Sequence, residues 1–245
     1  MRGTAGDEER LTLASVFRDR AYRRIRSSPH GASLRQHQTI YNIGDEARSL
    51  FYLRSGLVKL EAVSGEGRGV ILNMCKPGEL FGELSLCDGR RNEMAVTMES
   101  SEVVEIGVEE VVGLLHEKQG AMLLLLRSVC RRLADSYRVI QEYSFDNLPE
   151  RLAKTLMRLA DEIGRETPRG TELTHYITQE ELAQMLSVRR EIVSSELSRL
   201  RARGCVSYLR RGRLVINRAA LAAYADSLGR AAALGLSVTF GLSVF

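Results

Sequence analysis

Between Leu186 and Asn217 the chain carries eight arginines (Arg189, Arg190, Arg199, Arg201, Arg203, Arg210, Arg211 and Arg213) against two acids, Glu191 and Glu196. That is a local +6 in a chain whose net charge is only +4, so the remainder is slightly acidic. A compact basic patch is the electrostatic footprint of a polyanionic partner. The alternative is compositional: only four of the 35 basic residues are lysine, so arginine enrichment is chain-wide. Bond-making chemistry is poorly provided for. The four histidines (His30, His37, His116, His175) show no metal-ligand spacing, and Cys75, Cys87, Cys130 and Cys205 lie too far apart for a zinc or iron-sulfur knuckle. No Walker or dinucleotide glycine loop is present, and serine, histidine and acid residues are scattered. Neither an enzyme nor a metal site is expected.

At 245 residues, with 44% hydrophobic and 27% charged residues, the chain suits two folded domains and neither a disordered nor a polytopic membrane protein. Met1 to Arg10 lack the apolar stretch of a secretory signal, so reduced thiols in the cytoplasm are expected. The uncharged tail, Ala231 to Phe245, is shorter than the ~20 residues needed to span a bilayer. It reads as a segment packed on its own domain or frayed, with a membrane or oligomer contact as the alternative.

These residues need elements to position them. From Gln38 to Glu105, short alternating runs broken by glycine predict antiparallel strands closing a sandwich or barrel, with Gly44, Gly56 and Gly78 in the turns and no helix interrupting the block. A basic leader, Leu11 to Arg26, is a helical candidate. From Gln119 to Tyr143 the period becomes helical. Leu126, Val129, Cys130, Leu133, Tyr137 and Ile140 form one apolar seam, suited to packing two helices side by side or, alternatively, to packing on the chain's own barrel. Asn147 and Pro149 interrupt the helix and predict a hinge at Phe145 to Asn147.

Beyond the hinge, an amphipathic helix is expected over Glu150 to Ile163 and a polar connection over Gly164 to Gly170. Thr178 and Glu181 fit a capping box. Leu182, Ala183 and Leu186 then give the buried face of one short helix, Ser187 and Val188 a turn, and Val193, Leu197 and Leu200 the stripe of a second helix that Gly204 ends. The second helix would expose Arg189, Arg190, Ser194 and Ser195 at its start, making a helix-turn-helix. The hairpin CVSYLRRGRLVIN, turning at Arg211 and Gly212, would complete a winged helix. The expected class is α+β, in four parts: leader and barrel over 1–118, long dimerisation helix and hinge over 119–146, winged helix-turn-helix over 147–228, and tail over 229–245.

Over Gln38 to Tyr224 the chain resembles the Crp-Fnr family of bacterial transcription regulators. The resemblance rests on the glycine-spaced barrel, FGELSL (Phe81 to Leu86) followed by DGRRNEMA, the long helix, and TQEELAQMLSVRREIVSSELSRL (Thr178 to Leu200). It implies a cyclic-nucleotide-binding-like jelly roll that senses a small effector, and a homodimer that binds double-stranded DNA palindromes and works with RNA polymerase as activator or repressor. A regulator of this fold without an effector, or a cyclic-nucleotide-binding module with no DNA role, are the alternatives.

By the same resemblance, Gly82, Glu83 and Leu84 open a phosphate-binding cassette, with Glu83 placed for a ribose hydroxyl. The position of the phosphate-pairing arginine falls at Glu93, and the following serine's at Met94. A carboxylate there repels a phosphate instead of pairing with it, so cyclic AMP is disfavoured unless Arg90 or Arg91 substitutes. Arg132, Ser136 and Tyr137 fall where the family lines the site from the long helix. Neither a haem nor an iron-sulfur signature is seen, and the cofactor stays unknown. On the DNA side, Arg190 and Glu191 match two base-reading positions, for guanine and cytosine respectively. The third, an arginine in the catabolite activator, is Ser195 here, and Arg189 replaces a small serine. Gln179, Ser194, Arg211 and Arg213 complete the expected interface. A half-site related to GTGA, but altered at one base, follows.

Overall fold

The computed structural model describes residues 33–117, 120–209 and 212–233, with side chains through Leu228. The leader, the hairpin tip at Arg210 and Arg211, and the tail beyond 233 lie outside the described residues. The chain divides into two compact units at Asp135/Ser136. This division falls inside the long helix, on the barrel side of Phe145 to Asn147.

Among the described residues of the first unit, eight strands form two four-stranded antiparallel sheets. One runs β1 (Ser33–Leu34), β8 (Ser101–Gly107), β3 (Ser49–Ser55), β6 (Leu80–Phe81); the other runs β2 (Thr39–Tyr41), β7 (Met94–Thr97), β4 (Val58–Val63), β5 (Gly69–Cys75). The expected barrel is thus a jelly-roll pair of sheets and not one closed sheet. Its interior is filled from both by Tyr41, Phe51, Leu53, Val58, Leu60, Cys75, Phe81, Ala95 and Val103. The opposite face of β3 packs Leu50 and Tyr52 beneath α1 (Val108–Glu117) with Val111, Leu114 and Leu115. Strand β3 is therefore buried on both faces, which is why its sequence, SLFYLRS, reads as a continuous apolar run.

Gly44, Gly56 and Gly78 all sit in turns at positive φ, as expected. At Gly56 the requirement is absolute in space as well: a Cβ would stand 2.2 Å from the Ser101 hydroxyl oxygen and 2.6 Å from its Cα. The expectation that no helix interrupts the strands is corrected by a single 3-10 turn, Glu83–Leu86, entered from Gly82 at φ 85. Four residues are too few to impose a helical period on the sequence.

Helix α2 (Ala121–Phe145) carries the chain from one unit into the other. In the second unit, α3 (Leu148–Ile163) starts on an Asn147 cap: the Glu150 amide donates to Asn147 Oδ1 at 3.1 Å and the Asn147 amide to Glu150 Oε2 at 2.8 Å. Pro149 lies in its first turn, where a missing N–H costs nothing. The polar stretch after it is not a connection. Residues Gly164–Thr167 and Gly170–Leu173 pair as β9 and β10, extending the hairpin β11 (Val206–Tyr208) and β12 (Leu214–Ile216) into a sheet ordered β11-β12-β10-β9. As an edge strand with mostly exposed or half-buried residues, β9 (GRET) shows no apolar alternation.

Helices α4 (Gln179–Leu186) and α5 (Arg190–Ala202) are the expected pair. The Glu181 amide donates to Thr178 Oγ1 at 3.0 Å and the Thr178 amide to Glu181 Oε2 at 2.8 Å, closing the capping box. Ser187 ends α4 in the left-handed conformation, φ 50, and the Val188 amide reaches back to the Ala183 carbonyl at 3.1 Å. Thr178→Ala is expected to cost about 1 kcal/mol in the second unit, read by urea unfolding. A change smaller than a few tenths would show that the cap does not hold this helix.

Candidate nucleic-acid interface and barrel pocket

Helix α5 buries Val193, Glu196, Leu197 and Leu200 against its own unit. The 3.6 period therefore turns Glu191, Ser195 and Ser198 outward, flanked by Arg190 at the first turn. Arg189 is the N-cap residue and makes no side-chain cap bond, and Arg189, Arg190, Glu191 and Ser195 are all exposed, with Ser194 half-buried. The remaining arginines of the patch divide. Arg199 is ion-paired with buried Glu196 at 3.1 Å, and Arg203 lies over the Tyr224 ring at 4.9 Å. Arg213, expected to hold phosphate, pairs with Glu172 at 2.9 Å across the sheet. Gln179, another expected interface residue, is half-buried at the start of α4. Arg211 lies outside the described residues.

Along α2 the seam residues Leu126, Val129, Cys130, Leu133, Tyr137 and Ile140 are all exposed, Leu133 at 50%, Tyr137 at 59% and Ile140 at 60%. Six such side chains on one helix form an apolar stripe far denser than scattered surface residues.

Inside the first unit, the structure brings together Gly82, Glu83, Arg91, Glu93 and Arg132. Leu84 and Arg90 are exposed, Arg90 donating to the Gly44 carbonyl at 3.1 Å, and Met94 is half-buried on β7. Ser136 and Tyr137 belong to the second unit. Arg91, the candidate substitute for the cassette arginine, is only 3% exposed. Its Nη1 donates to the Gly82 carbonyl at 3.1 Å and Ser85 Oγ at 3.4 Å, and its Nη2 to the Ser49 carbonyl at 2.8 Å and Ser49 Oγ at 3.3 Å. The guanidinium also lies 4.3 Å over the Tyr41 ring and 5.0 Å over Phe51. It is so close to Gly82 that a Cβ there would stand 2.5 Å from Nη1. Arg91 thus holds the 3-10 turn against the barrel.

Glu93 is 2% exposed, and its Oε1 accepts from the Tyr41 hydroxyl at 2.9 Å. Glu83 Oε1 accepts from Arg132 Nη1 at 2.5 Å, while Arg132 Nη2 donates to the Leu80 carbonyl. The second oxygens of both carboxylates, Glu83 Oε2 and Glu93 Oε2, are buried without a hydrogen-bond partner among the described residues. Burial holds the Glu93 carboxyl above the ordinary carboxylate range; the Glu83 charge adds to this, while the Tyr41 hydrogen bond and the Arg91 and Arg132 charges oppose it.

A raised carboxyl stabilises the fold fully below its ordinary pKa, near 4.5, and that contribution is lost as pH rises through the folded value. Glu93→Gln has no proton to lose and is expected to flatten this decline in unfolding free energy. Identical slopes for the two proteins would mean that Glu93 is not the titrating group.

Nothing local in the sequence marks Tyr41 or Ser49 as part of this site: Tyr41 meets Glu93 because β2 pairs with β7, and Ser49 reaches Arg91 from β3 of the other sheet. Among the described residues no group of histidine, cysteine and acid side chains could hold a metal ion, and no helix is long and apolar enough to cross a membrane.

Residues 32–118 match the family model of the cyclic nucleotide-binding domain, and residues 150–224 that of the Crp-like helix-turn-helix domain. The chain is 30% identical over 169 residues to the CRP-like cAMP-activated global transcriptional regulator of Mycobacterium tuberculosis, covering 69% of this chain and 75% of that protein. It is 30% identical over 205 residues to the cyclic AMP receptor protein of Thermus thermophilus, covering 83% and 86%. Among solved structures, a CRP-family transcriptional regulator of Thermus thermophilus superposes with a TM-score of 0.67 at 27% identity, over 79% of this chain and 95% of its own. With a nucleotide-binding-like sandwich, a long helix and a winged helix-turn-helix in that order, and relatives that match across both units, the chain belongs to the Crp-Fnr family of transcription regulators.

Proposed function

We propose that this regulator binds an inverted-repeat DNA site as a homodimer joined along α2, reading each half-site with Arg190 and Glu191. The observation that carries this reading is the first turn of α5, whose charged side chains are exposed while the rest of the helix is locked into the unit by Val193, Leu197 and Leu200. Arginine forks onto O6 and N7 of guanine, and glutamate accepts from N4 of cytosine. Ser195 is too short to make the arginine contact of the third position, so the half-site departs from GTGA at that base. Arg189, and Arg211 on the hairpin, supply phosphate contacts that set register without carrying sequence. The protein acts by binding, in the cytoplasm, with RNA polymerase as the downstream partner.

The relatives from Mycobacterium and Thermus are named for cyclic AMP, but the cassette of this chain argues against that nucleotide. Glu93 and Met94 stand at the two phosphate-pairing positions, and Arg91 is already engaged by Gly82, Ser49 and Ser85. A regulator with no dedicated effector is the second reading, favoured by the bonds from Arg91 to Gly82 and Ser85, which tie the 3-10 turn in place through protein groups.

The test is fluorescence anisotropy of a labelled palindrome of two GTGA-related half-sites about one helical turn apart, titrated at fixed salt with and without cyclic AMP. Specific binding that the nucleotide does not change is expected. Binding only with cyclic AMP would overturn the reading of Glu93.

A further inference from the structure

Glu172 sits on β10, an inner strand of the second unit's sheet, opposite Arg165 on β9 and Val215 on β12. Its side chain is only 7% exposed, and two arginines share it: Arg213 Nη1 lies 2.9 Å from Oε1, and Arg165 Nη2 lies 3.5 Å from Oε2. The trio carries a net positive charge, so the carboxylate does not cancel what Arg213 offers to an anion. The Arg213 side chain keeps 38% of its surface exposed. A buried carboxylate holds such a partner firmly, because losing it leaves a desolvated charge uncompensated. The residue before Arg213 is held as well. Gly212, at φ 78, lies so close to the Tyr176 ring that a Cβ there would stand 2.9 Å from Cε2. The Gly212 amide donates to the Leu209 carbonyl at 3.0 Å, and the Leu209 amide to the Arg213 carbonyl at 2.9 Å, closing the hairpin at that point. Glu172 and Tyr176 both lie in the stretch that ends β10 and leads into α4.

The geometry points to Glu172 as a positioning residue for DNA binding. It presets Arg213 at the base of the hairpin and so fixes the phosphate contact that this arginine makes, while Tyr176 sets the same stance through Gly212. A free arginine side chain loses its rotamer freedom when it meets a phosphate, whereas one braced by a carboxylate has lost it before DNA arrives. Because both braces come from the segment entering α4, the hairpin contact is held in register with the helix pair that reads the bases. The inference deepens the DNA-binding reading and rests on it. Charge alone predicts the opposite sign: a carboxylate beside a polyanion repels it, so its removal would tighten binding.

The experiment is fluorescence anisotropy over a potassium chloride series, with the palindrome and with a duplex of unrelated sequence. The proteins are the unaltered full chain, Glu172→Gln, Arg213→Gln and the double variant. Glu172→Gln is expected to weaken binding to both duplexes about fivefold or more and to lower the salt slope by about one per subunit. The double variant should bind like Arg213→Gln alone, since Glu172 acts through that arginine. Binding by Glu172→Gln as tight as that of the unaltered chain or tighter, an unchanged slope, or additive losses in the double variant overturns the inference. Should Glu172→Gln fail to fold by circular dichroism, the exposed Tyr176 decides the matter. Tyr176→Ala is expected to lower the slope and Tyr176→Phe to restore it; equal slopes for all three proteins overturn the inference. The two duplexes separate the two levels. A palindrome bound no better than the unrelated duplex sinks the half-site reading, while the slopes still test Glu172. Palindrome preference with a slope that Glu172→Gln leaves unchanged overturns the inference alone, and no binding to either duplex overturns both.

Discussion

Leu133→Glu is expected to leave the protein monomeric in sedimentation equilibrium and to weaken binding to a palindrome by about 100-fold or more. The seam side chains are half or more exposed at Leu126, Leu133, Tyr137 and Ile140, although α2 is 25 residues long and its apolar positions recur at helical spacing. Pairing two such helices buries a leucine from each, worth roughly 1.5 to 3 kcal/mol apiece. Glutamate at the centre loses that burial and sets two like charges side by side at a two-fold axis. A monomer engages only one half-site and forfeits the gain from linking two recognition events, about 10² to 10⁴ in affinity. The unfolding of the second unit should be unchanged, since residue 133 lies on an exposed face outside its core. A variant that stayed dimeric would place the subunit contact elsewhere on the molecule.

The second large effect is expected at the DNA. Arg190→Ala should cost about 1 to 3 kcal/mol per half-site and remove the preference for one guanine, leaving preference at the other positions intact. Binding to a panel of single-base variants of the palindrome reads this directly. The comparison that gives it meaning is Arg211→Ala on the hairpin. Loss of a phosphate contact weakens all sequences about equally and reduces the salt slope by about one. If Arg190→Ala left base preference unchanged, α5 would not be the reading helix.

The segment from Thr178 to Gly204 was legible because its determinants are local. A capping box spans four residues, the buried stripe of α5 repeats every three or four, and Gly204 at φ 69 follows its last turn. The strands of the sandwich were legible as a class from their turns, but not their pairing or two-sided burial, which depend on α1 covering the outer face of β3. Strand β9 escaped notice for the opposite reason: as an edge strand it has little to bury. The interior of the barrel was the least legible part. Aligning the cassette puts Glu93 in the place of a phosphate-binding arginine, yet its partner Tyr41 lies 52 residues away, and Arg91 reaches Ser49 across 42. Only the fold shows that Arg91 braces the 3-10 turn.

Whether α5 reads an inverted repeat is best settled by selecting bound sequences from a random DNA pool with the purified full chain, which presumes neither the half-site nor the effector. An inverted repeat with centres about one helical turn apart should be enriched. Each half should carry the guanine read by Arg190 and the cytosine-containing pair read by Glu191, with a departure from GTGA at the base opposite Ser195. Recovery of an asymmetric site, or of no sequence at all above the pool, would contradict a dimer that reads DNA through α5.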